Sequence, residues 1–394
     1  LYIILFFMLF LELISFLSLS CWIYIVFFHG RKNFFKDKFF WSNSVIFEEN
    51  FVETKIFNKS ICVIIPARNE EKYIEETLES VKDQDIKALH TIVINDNSTD
   101  NTKRVLKNFS RNFKNLKILN GKKLPLGWVG KVWALKQGVD EANKGNFQYY
   151  LFIDSDIHLN KGIIKNSIKF LEVHDLVMVS LMAKLSSEYF WERMLIPPFI
   201  FFFQKLFPFG RVNDPKDQIS AAAGGFILCK SQIFKQKNWY ESIKDKVIDD
   251  CNIAKIIKNR GKIWLGLTNL VKSKRTYQSL NEIWKMVSRT AFEQLNFSII
   301  ILIVCCLGMF LIYLTPYIFL AISIFALEKE LMIISLTTIF LITLVFSPVM
   351  KFYKVSKKYL ICIPFFSSLY IIMTCSSAMN YYSKKGNKWK GRSY

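Results

Sequence analysis

The sequence predicts an α/β domain with a mostly parallel central sheet, set between transmembrane helices near the two ends of the chain. Three observations lead there. Of 394 residues 52% are hydrophobic, 37 of them Phe, yet the formal charge is +21. Four apolar stretches approach or exceed the roughly 20 residues that cross a bilayer's hydrocarbon core. Between them, short β-branched runs alternate with amphipathic segments at the spacing of βαβ units. This composition excludes a disordered chain, a small disulfide scaffold and an ordinary cytosolic enzyme. A cationic excess on an apolar chain suits contact with anionic lipid or an anionic ligand. With membrane spans present, nucleic acid is not expected as a partner.

The first apolar stretch, Leu1 to Phe28, carries a single charge, Glu12, and no A-x-A-like cleavage site before His29, so it is expected to be a retained anchor. Phe297 to Leu327, Leu331 to Met350 and Tyr359 to Ser383 carry no charge. The expected organisation is an anchor at 1–28, a basic juxtamembrane linker at 29–58, a water-facing domain at 59–296, a C-terminal transmembrane region of about three apolar segments at 297–383 and a basic tail at 384–394. Arg31, Lys32, Lys36 and Lys38 place the C-terminal side of the anchor in the cytoplasm, and Lys351, Lys354, Lys357 and Lys358 agree. The tail lysines Lys384, Lys385, Lys388 and Lys390 and Arg392 agree only if the last segment re-enters or the Pro316 region folds the long segment into a hairpin. A cytoplasmic tail is expected. None of the eight cysteines forms a C-x-x-C pair or a zinc-spaced cluster, so disulfides and structural zinc are not expected.

Within the middle domain, Ile61 to Ile65 reads as a buried strand. Asn69 is expected to cap a helix whose apolar face is Ile74, Leu78 and Val81. Thr91 to Ile94 is a second strand, followed by a turn-rich stretch and a basic helix to about Lys107. Leu116 to Leu119, a helix over Val129 to Ala142, and a strand over Tyr149 to Ile153 complete the alternation. Ligands are then expected at the carboxyl ends of the strands.

Those ends hold the chemistry. Asp96 follows the second strand, and Asp154-Ser155-Asp156 follows the fourth. Two Asp at i and i+2 bring hard oxygens near one point, which suits Mg²⁺ or Mn²⁺ carrying a diphosphate; an exposed turn is the plainer reading. Lys131 opens a helix behind Gly127-Trp128-Val129-Gly130, where backbone amides and an ammonium can face phosphate, or where a lysine can simply be solvated. Asp249-Asp250 opens another helix and serves either the helix dipole or base catalysis. Gly224-Gly225 after three alanines permits close backbone approach and borders an expected acceptor site. Met194 to Phe203, broken by Pro197-Pro198, is too short to span; it is either core or an interfacial element on a lipid acceptor's entry path.

Taken in order, Val63-Ile64-Ile65-Pro66-Ala67-Arg68-Asn69-Glu70-Glu71, Asn95-Asp96-Asn97-Ser98-Thr99-Asp100, Gly130-Lys131-Val132-Trp133-Ala134-Leu135, Asp154-Ser155-Asp156 and Asp249-Asp250 resemble the family 2 glycosyltransferases of the GT-A fold. Gly127-Trp128-Val129-Gly130-Lys131-Val132-Trp133-Ala134, Ile263-Trp264-Leu265-Gly266-Leu267, Ile283 to Ala291 and Trp389-Lys390-Gly391-Arg392 bring the likeness closer to the hopene-associated subgroup, linked to hopanoid lipid synthesis. The resemblance implies a GT-A nucleotide-sugar-binding catalytic domain at 59–296. It implies that Pro66 and Glu70 line the nucleotide pocket, that Asp96 accepts from the uracil of a UDP-sugar, that Lys131 faces the diphosphate, and that Asp154 and Asp156 hold nucleotide and metal. It makes Asp250 the base and Asp249 its acceptor-side neighbour in place of the usual Glu. The processive members' Gln-x-x-Arg-Trp is Met286-Val287-Ser288-Arg289-Thr290 here; Arg289 can still neutralise the leaving diphosphate, but the grip on a growing polymer is lost.

The expectation is therefore a multi-pass enzyme of the inner (cytoplasmic) membrane, its catalytic domain in the cytoplasm. With a divalent cation, it moves one sugar, with inversion, from a nucleotide-sugar to a lipid acceptor. A polyprenyl-phosphate sugar synthase or polysaccharide synthase is the alternative enzyme, and a non-catalytic membrane protein the alternative of another kind.

Overall fold

In a computed structural model, residues 2–29, 47, 58–235, 239–383, 388–389 and 392–393 are described. The basic cluster at 31–38, most of the linker and tail residues 384–387 and 390 lie outside them. The chain falls into two compact units: Asn43–Ser186 with Arg211–Thr276, and Leu1–Ser42 with Ser187–Gly210 and Tyr277–Tyr394.

Helix α1 (Tyr2–Tyr24) runs into a π turn, Ile25–His29. The α/β unit then follows as β1 (Ile61–Ala67), α2 (Ile74–Lys82), β2 (Leu89–Asn95), α3 (Thr102–Ser110), β3 (Leu116–Asn120), α4 (Gly130–Ala142), β4 (Tyr149–Phe152), β5 (Ile157–Leu159), α5 (Ile163–Val173) and β6 (Met178–Lys184). After α6 (Phe190–Leu206) and the single turn α7 (Phe209–Val212), the unit closes with β7 (Ile227–Lys230), α8 (Asp249–Lys258) and β8 (Ile263–Ser273).

The sheet order is β3-β2-β1-β4-β7-β6-β8-β5. Strands β3, β2, β1 and β4 are mutually parallel, as the βαβ reading requires, and β6 runs parallel to β8. Strand β7 is antiparallel to both β4 and β6, and β5 is antiparallel to β8. Every residue of β1 and β4 is buried, because a sheet covered on both faces needs continuous apolar strands rather than alternation. On one face Val63, Ile65, Leu78, Val93, Leu151, Ile168 and Leu228 share a core. On the other, α4 lies so close that a Cβ on Gly138 would stand 2.6 Å from Ile64 Cγ2 and 2.7 Å from Ile94 Cδ1. Glycine there is what lets the helix that carries Lys131 seat on the sheet.

Two expectations need correction. Asn69 does not cap α2. It takes a left-handed backbone (φ 53°), and its Oδ1 accepts from the Thr99 backbone N–H at 2.8 Å, so it ties the β1 loop to the turn after β2. Nor do Pro197 and Pro198 break the 194–203 segment, because α6 runs through both and only the hydrogen bonds they cannot donate are lost.

The second unit continues with α9 (Leu280–Ser288), α10 (Ala291–Gln294), α11 (Ile299–Tyr313), α12 (Thr315–Ala326), α13 (Lys329–Phe352) and α14 (Ile363–Tyr382). Among the described residues, Phe6–His29, Lys329–Phe352 and Lys357–Tyr382 are long and apolar enough to cross a membrane. The apolar stretch 297–327 is divided at Leu314, next to Pro316, into α11 and α12. The α9–α10 segment and α11 meet at a 119° bend, so they make a broken span or a re-entrant loop. Met194, Leu195, Ile196, Pro197, Pro198, Ile200 and Phe201 of α6 are buried. Phe201 stacks on Phe346 of α13 with ring centres 3.9 Å apart, and Tyr370 of α14 donates to the Leu195 carbonyl at 2.8 Å. This element is therefore largely core of its own unit.

Candidate active site

The site residues of the α/β unit stand at the carboxyl ends of β1, β2 and β4 and at the first turns of α4 and α8. Pro66 is buried near the end of β1, paired in register with Ile94. Past the end of β1, the Arg68 guanidinium donates to the carbonyls of Asp96 (2.6 Å) and Asn97 (2.9 Å). Asp96 is itself buried, and its backbone N–H donates to the Ala67 carbonyl at 2.8 Å. The segment after β1 thus fixes the Asp96 turn through backbone atoms, and side chains of the turn add to it: Ser98 Oγ accepts from the Asn69 N–H at 3.0 Å.

Lys131, at the second position of α4, gathers acids from two other segments. Its Nζ lies 2.9 Å from Asp154 Oδ1 beyond β4 and 3.4 Å from Asp249 Oδ2 at the start of α8. Burial pulls the ammonium down, but the carboxylates of Asp154, Asp249 and Asp250 outweigh it and hold Lys131 well above the ordinary lysine range. Gly224 forms the wall beside them. A Cβ there would stand 3.1 Å from Lys131 Nζ, 3.4 Å from Asp250 Oδ2 and 3.5 Å from Asp154 Oδ2. Gly225 faces inward instead, where a Cβ would stand 2.7 Å from the Ala183 Cβ.

Asp249 and Asp250 both occupy the first turn of α8, where the dipole favours them, while the N-cap residue is Ile248. Asp250 Oδ2 accepts from the Gly224 N–H at 2.9 Å and its Oδ1 from the Cys251 N–H at 2.8 Å. Burial, and then the neighbouring Asp249 charge, push the Asp250 carboxyl up to about 6, against the pull of Lys131. Burial also raises Asp249, with Lys131 opposing. A held carboxylate that ionises near neutrality can accept a proton from a hydroxyl.

A second cluster lies at Asp156. Arg275 Nε donates to Asp156 Oδ2 at 2.7 Å, and its Nη2 donates to both Glu70 oxygens at 3.0 and 3.1 Å. The guanidinium carbon lies 5.5 Å from the Tyr73 ring centre. The expected ribose-side Glu70 and the expected metal ligand Asp156 are thus brought together by a cation that sequence reasoning did not single out. Arg289, at the C-cap of α9, belongs to the other unit.

The donor set can be tested against the expected divalent cation. Among the described residues no three His, Cys, Asp or Glu side chains gather as a complete protein cage. Asp154 and Asp156 supply hard carboxylate oxygens, and Mg²⁺ characteristically takes one or two such carboxylates and fills its shell with substrate phosphate and water. The pair fits a cation that is shared with a diphosphate.

Comparison with known proteins decides the family of this domain. The family model described as Glycosyl transferase family 2 matches residues 62–236. These residues form a family 2 glycosyltransferase domain. The domain's fold is GT-A: a mannosyltransferase from Pyrobaculum calidifontis, solved with GDP-Man and Mn²⁺, superposes with a TM-score of 0.51 at 15% identity, over 94% of this chain and 99% of that one. Poly(ribitol-phosphate) beta-N-acetylglucosaminyltransferase TarS of Staphylococcus aureus is 36% identical over 116 residues, 28% of this chain and 19% of its own length. The 4,4'-diaponeurosporenoate glycosyltransferase of Staphylococcus aureus is 38% identical over 107 residues, 27% of this chain and 26% of its own length. The similarity thus spans a fifth to a quarter of these relatives.

The charge clusters of the α/β unit hold two further residues that sequence reading passed over. Arg68 sits within the quoted β1 motif, but its work is on backbone carbonyls. Arg275 closes the basic run Lys272-Ser273-Lys274-Arg275 after an apolar strand. That run was the available signal.

Proposed function

We propose that the protein is a membrane-bound inverting glycosyltransferase that moves one sugar from a nucleotide-sugar, a UDP-sugar by the Asp96 reading, to a lipid acceptor. The observation that carries this reading is the Asp250 carboxylate, held by the Gly224 and Cys251 N–H groups beside Lys131 and raised to about 6. At neutral pH it is ionised yet basic enough to take a proton from an acceptor hydroxyl. The freed oxygen attacks the anomeric carbon as the bond to the nucleoside diphosphate breaks, and the electron pair leaves with the diphosphate. Lys131, on the Asp154 side, is placed to balance that developing charge. Asp154 and Asp156 would hold a Mg²⁺ or Mn²⁺ ion, which supplies charge neutralisation on the diphosphate when bound. No covalent nucleophile is needed, so one displacement inverts the configuration.

Three helices able to cross a membrane support a lipid acceptor, and the missing Gln and Trp around Arg289 support a single transfer. The relatives' names divide between poly(ribitol-phosphate) and diaponeurosporenoate, so the acceptor is argued from this chain and not from them. The resemblance to the hopene-associated subgroup favours a hopanoid-linked lipid. The lysines and arginines flanking the first and third spans support a multi-pass protein of the inner membrane with its domain on the cytoplasmic side, where nucleotide-sugars are made.

The test is incubation of membranes containing the protein with a panel of labelled nucleotide-sugars, followed by solvent extraction and thin-layer separation. The expected product is an extractable lipid bearing one sugar. Label confined to a water-soluble or polymeric fraction overturns the acceptor, and a ladder of sugars overturns the single transfer.

A further inference from the structure

Arg275 is placed by the backbone ladder and not by a loose surface contact. Strand β5 pairs antiparallel with β8, with Ile157 opposite Ser273, and the Lys274 N–H donates to the Asp156 carbonyl at 2.8 Å. The residue after Lys274 is thereby delivered to the Asp156 side chain although 119 positions separate the two. Its planar fork then spans two carboxylates from different segments, Asp156 beyond β4 and Glu70 beyond β1. Arg275 is about 30% exposed, whereas the side chains of Glu70 and Asp156 retain 7% and 12%. The arginine therefore covers the two acids from the solvent side.

Arg275 already neutralises Asp156 through Oδ2, so a divalent cation that uses this carboxylate must compete with the guanidinium for its charge. We propose that Arg275 is a resident competitor of the divalent cation: it occupies Asp156 and Glu70 while the donor is absent and yields Asp156 when the cation arrives with a nucleotide diphosphate. Glu70, whose two oxygens accept from Nη2 at 3.0 and 3.1 Å, keeps the displaced guanidinium at the site, where a diphosphate oxygen is the natural new acceptor for Nε. Two carboxylates against one guanidinium leave the cluster with one net negative charge, enough to hold the arginine but not to attract a bare dication strongly. The enzyme would thus be disfavoured from binding metal without donor. This inference rests on the reading of the site as a nucleotide-sugar site.

The experiment uses the full-length protein in detergent micelles. Mn²⁺ is titrated without nucleotide and followed by the EPR signal of the free ion, and UDP and GDP are titrated on the same samples by calorimetry. Removing the competing charge in Arg275→Gln should tighten Mn²⁺ binding by roughly tenfold or more. The double variant Arg275→Gln with Asp156→Asn should lose that gain, and Arg275→Lys, a point charge without the fork, should fall between. Thermal unfolding verifies each fold, and Arg275→Lys carries the test should Arg275→Gln not fold. Nucleotide binding with Mn²⁺ affinity unchanged or weakened in the Arg275 variants means that the arginine is a structural pair only, and the proposal is wrong while the donor-site reading stands. Failure of the wild type to bind either nucleotide removes the donor-site reading, and the competition with it.

Discussion

The two charge clusters of the domain use the same ingredients for different ends. Around Lys131, one ammonium faces three carboxylates, of which Asp154 and Asp249 lie within 3.4 Å, while Asp250 is held by backbone N–H groups and stays raised to about 6. Around Arg275, one planar guanidinium takes two carboxylates in fixed bonds of 2.7 to 3.1 Å. A lysine is a point charge on a flexible stem, and an arginine is a rigid fork. The difference teaches that the larger excess of acid over base sits where the proposed mechanism moves a proton. The planar fork sits where two acids from distant segments are held together until, on the proposal above, a cation competes for one of them.

Substitutions can break that contrast, beginning with the largest effect. Asp250→Asn keeps the size of the side chain but removes its basicity, so turnover should fall by a factor on the order of 10² to 10⁴ while nucleotide affinity, measured by calorimetry, holds. If Asp249→Asn is crippled and Asp250→Asn is not, the base is the other acid. Lys131→Met removes the charge proposed to offset the leaving diphosphate and should lower kcat by about 10² to 10³ in steady-state assays, with the fold intact by circular dichroism.

A pH profile sharpens the contrast without abolishing activity. A base must be ionised, so with Asp250 raised to about 6 the wild-type rate should climb as pH rises through that value and be lost below it. Asp249→Asn deletes the neighbouring charge that, after burial, does most to raise Asp250, so its acid limb should move to lower pH. A limb that stays in place or moves up would separate Asp249 from Asp250. Gly224→Ala is the mildest change. Its Cβ would stand 3.1 Å from the flexible end of Lys131, which can shift by a few tenths of an ångström, so kcat should drop roughly threefold with little change in Tm.

How much of this was legible in the sequence follows the range of each signal. Strands β1 to β4 could be read because apolar runs such as Ile61 to Ile65 are local, and so could the start of α8 at Asp249. Lys131 and the Asp154 and Asp156 pair were visible because each stands next to an element whose end the sequence marks. Asn69 misled because Asn serves equally as a helix cap and as a left-handed turn residue, and its partner Thr99 is remote. Pro197 and Pro198 misled because tertiary burial of α6 outweighs the lost helical bonds. The antiparallel β7 and the role of Arg275 were hidden for the same reason: each depends on strand pairing between distant segments, which no local window contains.

The account's central claim is direct displacement driven by the Asp250 base, and the anomeric configuration of the product tests it most directly. The labelled lipid product from an α-linked nucleotide-sugar is isolated, and the coupling constant of its anomeric proton is read by NMR. The account predicts the β-linked sugar from the wild type and the same linkage, formed far more slowly, from Asp250→Asn. An α-linked product would contradict it, because a single displacement by a base-activated acceptor inverts the anomeric centre.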